Sequence, residues 1–215
     1  MASQKQIEKL GLKNEVKLVL GRHDSAELDV ENREQVMGYV YYPGYDPGLS
    51  KKGQKSVEET VPKMPGVHKW HSSPAKRAME TVTYFCSDFH DVPQKERDFA
   101  PADYIGVPES VVDQYMVDFD DDALYVAYAA TGAPEKDQER ALRRLVELII
   151  EADDNYDGIN IPFGIISHDE ICRQIMAYCL GLPVEAFVKD ECKIARGAFV
   201  IITFNPNGDI TVERF

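Results

Sequence analysis

The chain has 215 residues, 44% of them hydrophobic, and a formal net charge of −13 from 24 basic and 37 acidic side chains. That composition supports a sizeable core in one α/β domain over residues 1–215 and excludes a disordered chain. It argues against a nucleic-acid surface, which needs clustered Lys and Arg, so any anion site must be local and built against the global field.

Residues 1–15 carry no apolar signal core, and no apolar run is long enough to span a membrane, so the expectation is a cytoplasmic protein. Val16 to Leu20 is a short β-branched run and predicts a buried strand. Residues 24–48 are rich in Tyr, Gly and Pro and read as a long irregular loop. Ser50 is a helix N-cap ahead of KKGQKSVEETV. Val67 to His71 predicts a second strand, followed by Ser72, Ser73 and Pro74 as a helix start and by Ala78, Val82 and Phe85 at helical spacing. Residues 92–133 hold a helix near 108–117 and the acidic run DFDDD. Pro134 opens an amphipathic helix with Leu142, Leu145, Val146, Ile149 and Ile150 on one side. Phe163 to Ile166 predicts a third strand, a helix follows to Leu180, and Gly181 is its C-cap. Residues 198–204 and 210–213, joined by NPNGD, predict a β-hairpin. Strands alternating with helices imply a three-layer αβα sandwich on a mainly parallel sheet.

Several residues invite sharper readings that the spacing does not support. Cys86, Cys172, Cys179 and Cys192 form no CxxC pair and read as reduced, buried thiols. His68 and His71 are an odd number of residues apart, so in a strand they face opposite ways and make a poor metal pair, while His90 reads as surface. Asp118, Asp120 and Asp122 lack the Gly and Glu of a calcium loop and read as a solvated face. Tyr39, Tyr41, Tyr42 and Tyr45 form either a specificity lid or loop packing.

The chemistry gathers at three strand ends: Arg22-His23, then His71-Ser72-Ser73-Pro74 with Arg77 one turn on, then Ser167-His168-Asp169. Parallel strands bring these ends to one sheet edge, where ligands of such folds bind. Arginine forks, helix N-termini and a nucleophilic histidine together suit a phosphoryl group.

Four segments, in order, resemble the histidine phosphatase superfamily, which includes the cofactor-dependent phosphoglycerate mutases. LVLGRHD resembles its RHG motif and DPGLSKKGQKSVEE its LSxxGxxxA helix start. SSPAKRAMET is similar to SSPxxRAxxT, and GIISHDEICRQIM resembles VSHGGxIR. CKIARGAFVIITF sits where the family has its last core strand, so the resemblance covers about residues 16–204. It implies a phosphoglycerate mutase-like fold and a small phosphorylated substrate, with no cofactor and no metal. It also implies roles: His23 attacks phosphorus and carries it, Arg22, Arg77 and His168 hold the phosphoryl oxygens, and a carboxylic acid protonates the leaving oxygen.

The sequence departs from the family where Asp24 and Asp169 replace glycines, as repelling charges, as helix caps that point away, or as partners orienting the histidines. In the acid-phosphatase and phytase branch, the carboxylate of such a His-Asp pair is the proton donor, which makes Asp169 a candidate acid. Asp103 is the other leading candidate by spacing, with Asp98 and Glu109 behind it. The reading is a metal-independent phosphatase of a small metabolite or phosphorylated side chain. The alternatives are a phosphoglycerate-type mutase, disfavoured because the motifs offer few extra cations, and a phosphate-binding protein without turnover.

Overall fold

The computed structural model describes residues 10–29, 31–41, 44–86, 92–102, 104, 106–118 and 121–215. Of the residues singled out above, Tyr42, His90, Asp103 and Asp120 lie outside that set. Six strands form one sheet in the order β3-β2-β4-β1-β5-β6. They are β1 (Val16–Arg22), β2 (Trp70–Ser72), β3 (Gln94–Lys95), β4 (Phe163–Ser167), β5 (Phe199–Phe204) and β6 (Ile210–Arg214). β3, β2, β4 and β1 run parallel, and β5 and β6 close one edge antiparallel. The mainly parallel α/β sheet expected from the strand–helix alternation is present.

Side-chain alternation along the strands builds the layers. Leu18, Leu20, Ile165 and Ile202 point to one face and join the core under α6 (Ala133–Asp154) and α7 (Asp169–Cys179). Val19, Ile166 and Phe199 point to the other, with Trp70, Ala78 and Val82, beneath α3 (Lys76–Phe85). Helices thus cover both faces of the central strands. α7 is buried along its whole length, Asp169, Glu170, Arg173 and Gln174 included.

Three stretches differ from expectation. The segment 24–48 is not irregular throughout: α1 (Arg33–Val40) forms behind an Asn32 cap that accepts from the Gln35 N–H, and it buries Val36 and Val40. The acidic run is in part helical, and its Asp122 is exposed as a solvated face requires. Beyond α4 (Glu109–Asp118) it opens α5 (Asp121–Ala129), where carboxylates suit the positive end of a helix. The SSP helix starts later than Pro74, with Ala75 as cap residue. Ser73 is otherwise engaged, and Asp46 takes the first-turn N–H of Lys76 at 3.0 and 2.9 Å. α2 (Lys51–Thr60) is capped by Ser50 as expected, and the four cysteines are free and buried.

Candidate active site

β1 and β4 are paired so that Arg22 lies opposite Ser167. The next residues outward are His23 and His168, and their rings meet at a centroid distance of 4.7 Å and 64°. β2 ends alongside, where the Ser73 N–H donates to the Ile166 carbonyl, and the following helix carries Arg77 inward. One sheet edge therefore gathers Arg22, His23, Arg77 and His168, all buried.

Arg77 joins the two histidines. Its Nε donates to His23 Nε2 at 3.1 Å and its Nη2 to His168 Nδ1 at 3.1 Å. The same guanidinium lies over the Tyr39 ring, 4.7 Å from its centroid, and pairs with Asp46 at 3.4 Å. These contacts fix both tautomers. A carbonyl only accepts, so the Asp24 oxygen 2.6 Å from His23 Nδ1 requires a proton there and leaves the lone pair on Nε2. His168 accepts from Arg77 at Nδ1, so its Nε2–H donates to Ser73 Oγ at 2.7 Å. Burial first, and the Arg77 charge second, hold both imidazoles well below the usual histidine range. His23 is thus a neutral base with its lone pair aimed at a guanidinium.

These residues line a cavity of about 50 Å³ with Asp24, Tyr39, Ala102, Tyr104, Asp169, Glu170 and Arg196. On that scale roughly 10–15 Å³ holds one water, so there is room for a small anion.

The carboxylates take different places. Asp169 is bound on both oxygens, by Arg22 Nη1 at 3.0 Å and by Arg173 Nε at 2.9 Å. Asp24 accepts from the Ser25 N–H and packs where a side chain on Gly197 would otherwise go. Asp98 pairs with Arg143 at 3.5 Å, Glu109 pairs with Arg33 on the surface, and neither lines the cavity. Asp103 lies outside the described residues, between cavity-lining Ala102 and Tyr104. His71 bonds Glu96 at 2.9 Å and, with His68, lines a second cavity instead. Among the described residues no group of three His, Cys, Asp or Glu is placed to hold a metal ion.

Two further residues that the sequence does not single out, Arg196 and Glu170, also line the cavity. Arg196 reaches the mouth from the loop before β5. Glu170, the first carboxylate after the His-Asp pair, is buried, accepts from the Ala102 N–H at 2.9 Å, and is pushed up to about 7 by that burial. Its signal was available in one form: a second acid at the start of a helix with no polar face to spare.

Comparison with known proteins agrees with this geometry. The family model for the histidine phosphatase superfamily (branch 1) matches residues 18–215. No curated protein sequence matches the chain. Among solved structures, a mycobacterial glucosyl-3-phosphoglycerate phosphatase is similar, with a TM-score of 0.69 at 16% identity over 94% of this chain and 98% of that one. The alpha-ribazole phosphatase from Shigella flexneri gives 0.68 at 15% identity over 93% and 96%. A phosphoglycerate mutase from Bacillus anthracis gives 0.62 at 16% over 96% and 95%. At those identities the likeness carries the fold. Among the described residues, no helix is long and apolar enough to cross a membrane.

Proposed function

The chain belongs to the histidine phosphatase superfamily, branch 1, and we propose that it hydrolyses phosphomonoesters without a metal ion, through a phosphohistidine at His23. The observation that carries this reading is the neutral His23 Nε2 in hydrogen-bond contact with Arg77, inside an anion-sized cavity. A phosphoryl group entering there takes over the Arg77 donors, and its phosphorus comes to face the freed lone pair. Arg22, Arg77 and His168 then hold the equatorial oxygens, where negative charge must be met throughout transfer. The Asp24 carbonyl steadies the His23 ring as it becomes cationic.

Hydrolysis is favoured over mutase chemistry by the cations on the wall. A mutase must retain a second anionic group while the phosphoryl group returns. Among the described residues three arginines and no lysine line this cavity, and Tyr39, Tyr104, Tyr115, Leu124 and Tyr125 form part of its wall. That wall suits an uncharged, partly apolar leaving alcohol. The carboxylates that replace the family's glycines do not favour a binding-only role, because Asp169 is neutralised by two guanidiniums and Asp24 is bound to backbone.

The test is hydrolysis of p-nitrophenyl phosphate with chelator present, comparing the native chain with His23→Ala, and trapping of a phosphorylated enzyme by an alkaline detergent quench. Chelator-resistant turnover and an acid-labile phosphoenzyme, both lost in the variant, are expected. Turnover that persists in His23→Ala refutes the nucleophile. Turnover that requires 2,3-bisphosphoglycerate moves the reading to a mutase.

A further inference from the structure

Among the described residues three carboxylates line the cavity, and they differ in what already occupies them. Asp169 is ion-paired to two guanidiniums, so it positions Arg22. Asp24 is committed to the Ser25 N–H and to its packing on Gly197. Glu170 is held differently: one oxygen accepts from the Ala102 N–H, and the group lines the same cavity as His23 and Arg77. We propose that Glu170 is the proton donor to the leaving oxygen, and the base that activates water in the second half-reaction. This inference rests on the phosphatase reading above.

The chemistry balances on these groups. In the first step the His23 Nε2 lone pair forms the N–P bond as the P–O bond to the alcohol breaks. The Glu170 carboxyl gives its proton to that oxygen, so a neutral alcohol leaves and a carboxylate remains. In the second step water attacks phosphorus, its proton passes to the Glu170 carboxylate, and the N–P electron pair returns to Nε2. Inorganic phosphate departs and both residues are restored.

The surroundings of Glu170 keep such a proton available. Asp169 on its own helix disfavours the charged form, while Arg77 from α3 and the Ala102 N–H favour it. Tyr104, Tyr128 and Cys172 feel its charge and are themselves held protonated, so none competes for its proton. With burial outweighing the rest, the carboxyl titrates near neutrality, where an acid that must also act as a base works best.

The experiment is kcat/KM for a series of aryl phosphates, from p-nitrophenyl phosphate to phenyl phosphate, for native enzyme and Glu170→Gln. A leaving group that receives a proton hardly feels its own basicity, so the native series should vary less than about tenfold. In Glu170→Gln the phenyl ester should lose roughly 10²–10³-fold and the p-nitrophenyl ester less than about tenfold. Vanadate affinity, unchanged in the variant, separates lost proton transfer from a collapsed site. A native series that falls steeply with leaving-group basicity overturns the assignment whether or not the variant folds, as does an equal loss for every ester. If no ester is turned over by native enzyme, or if His23→Ala retains turnover, the phosphatase reading itself falls and takes this one with it.

Discussion

Replacing Glu170 with glutamine makes a prediction about stability that needs no substrate. Glutamine keeps the shape, and its amide oxygen can still accept from the Ala102 N–H. What it removes is a titration. The Glu170 carboxyl is raised from 4.5 in the unfolded reference to about 7 in the fold, with burial as the main cause. Below the lower value both states are protonated and the native fold bears no cost. As pH rises toward 7 the unfolded chain releases its proton and the folded one does not, so native stability falls by about 1.4 kcal/mol per pH unit for this one group. Across that window the loss sums to roughly 3 kcal/mol, after which both states are ionised and the effect is constant. The variant escapes it. Urea unfolding at pH 5, 6, 7 and 8 should therefore show Glu170→Gln gaining on the native chain as pH rises, then running parallel above neutrality. His23 and His168 titrate the opposite way, since their lowered values make stability fall as pH drops below the ordinary histidine range, but they are common to both proteins and cancel in the difference. A stability difference that does not change with pH would refute both the burial argument and the idea that Glu170 holds a proton near neutrality.

Arg77→Met removes two buried charge-assisted contacts, each worth about 1.5–3 kcal/mol, so kcat/KM should fall roughly 10²–10⁴-fold. The same change should raise both histidine titrations seen by proton NMR, because Arg77 is the largest charge depressing them; unmoved histidines would sink the electrostatic account. Asp46→Ala should cost about 1 kcal/mol through the lost cap of α3 and weaken phosphate inhibition, as Arg77 loses a support; unaltered inhibition would mean Tyr39 and the histidines suffice. Gly164→Ala should lower the urea midpoint by an amount equivalent to about 1–3 kcal/mol, since a Cβ there would sit 2.2 Å from the Trp70 ring; an unchanged midpoint would contradict the packing of β2 on β4.

What was legible in the sequence was whatever repeats with a period or ends in a strong local signal. β1, β4, α6 and the closing hairpin announce themselves through runs of Val, Ile and Leu and through Pro134 and NPNGD. The three strand-end motifs sit where expected because parallel pairing forces their ends to one edge. α1 was hidden because only Val36 and Val40 are buried and its apolar stripe is weak. α5 was hidden because its acidic start looks like loop composition until helix polarity is considered. Asp46 caps a helix 30 residues further on, and no local pattern announces a long-range cap. Glu170 escaped for a related reason: burial of a carboxyl is set by what packs over it, here Ala102, Tyr104 and Tyr128, none of which lies near it in sequence.

The same long-range packing explains how a chain of net charge −13 keeps an anion site. Arg22, Asp169, Arg173 and Asp122 alternate in sign from the cavity outward, with contacts of 3.0, 2.9 and 3.1 Å. Asp169 therefore does not add its charge to the cavity. It holds one arginine against the phosphate position and is held in turn by a second, fully buried one, whose Nη1 also donates to the Val188 carbonyl at 3.0 Å. Breaking such a chain at one member strands the others in a dry interior, which costs more than the chain gains by forming. Glu170, next in sequence, has no place in it. Were it also ionised, its charge would oppose the arginines of the cavity, and the field available for phosphate would weaken. Kept neutral by burial, it leaves the arginine charge in excess when the ester arrives. Once its proton has left with the alcohol it is negative, and that negative charge then draws a proton from the attacking water. One elevated carboxyl thus serves both the binding of an anion and its release.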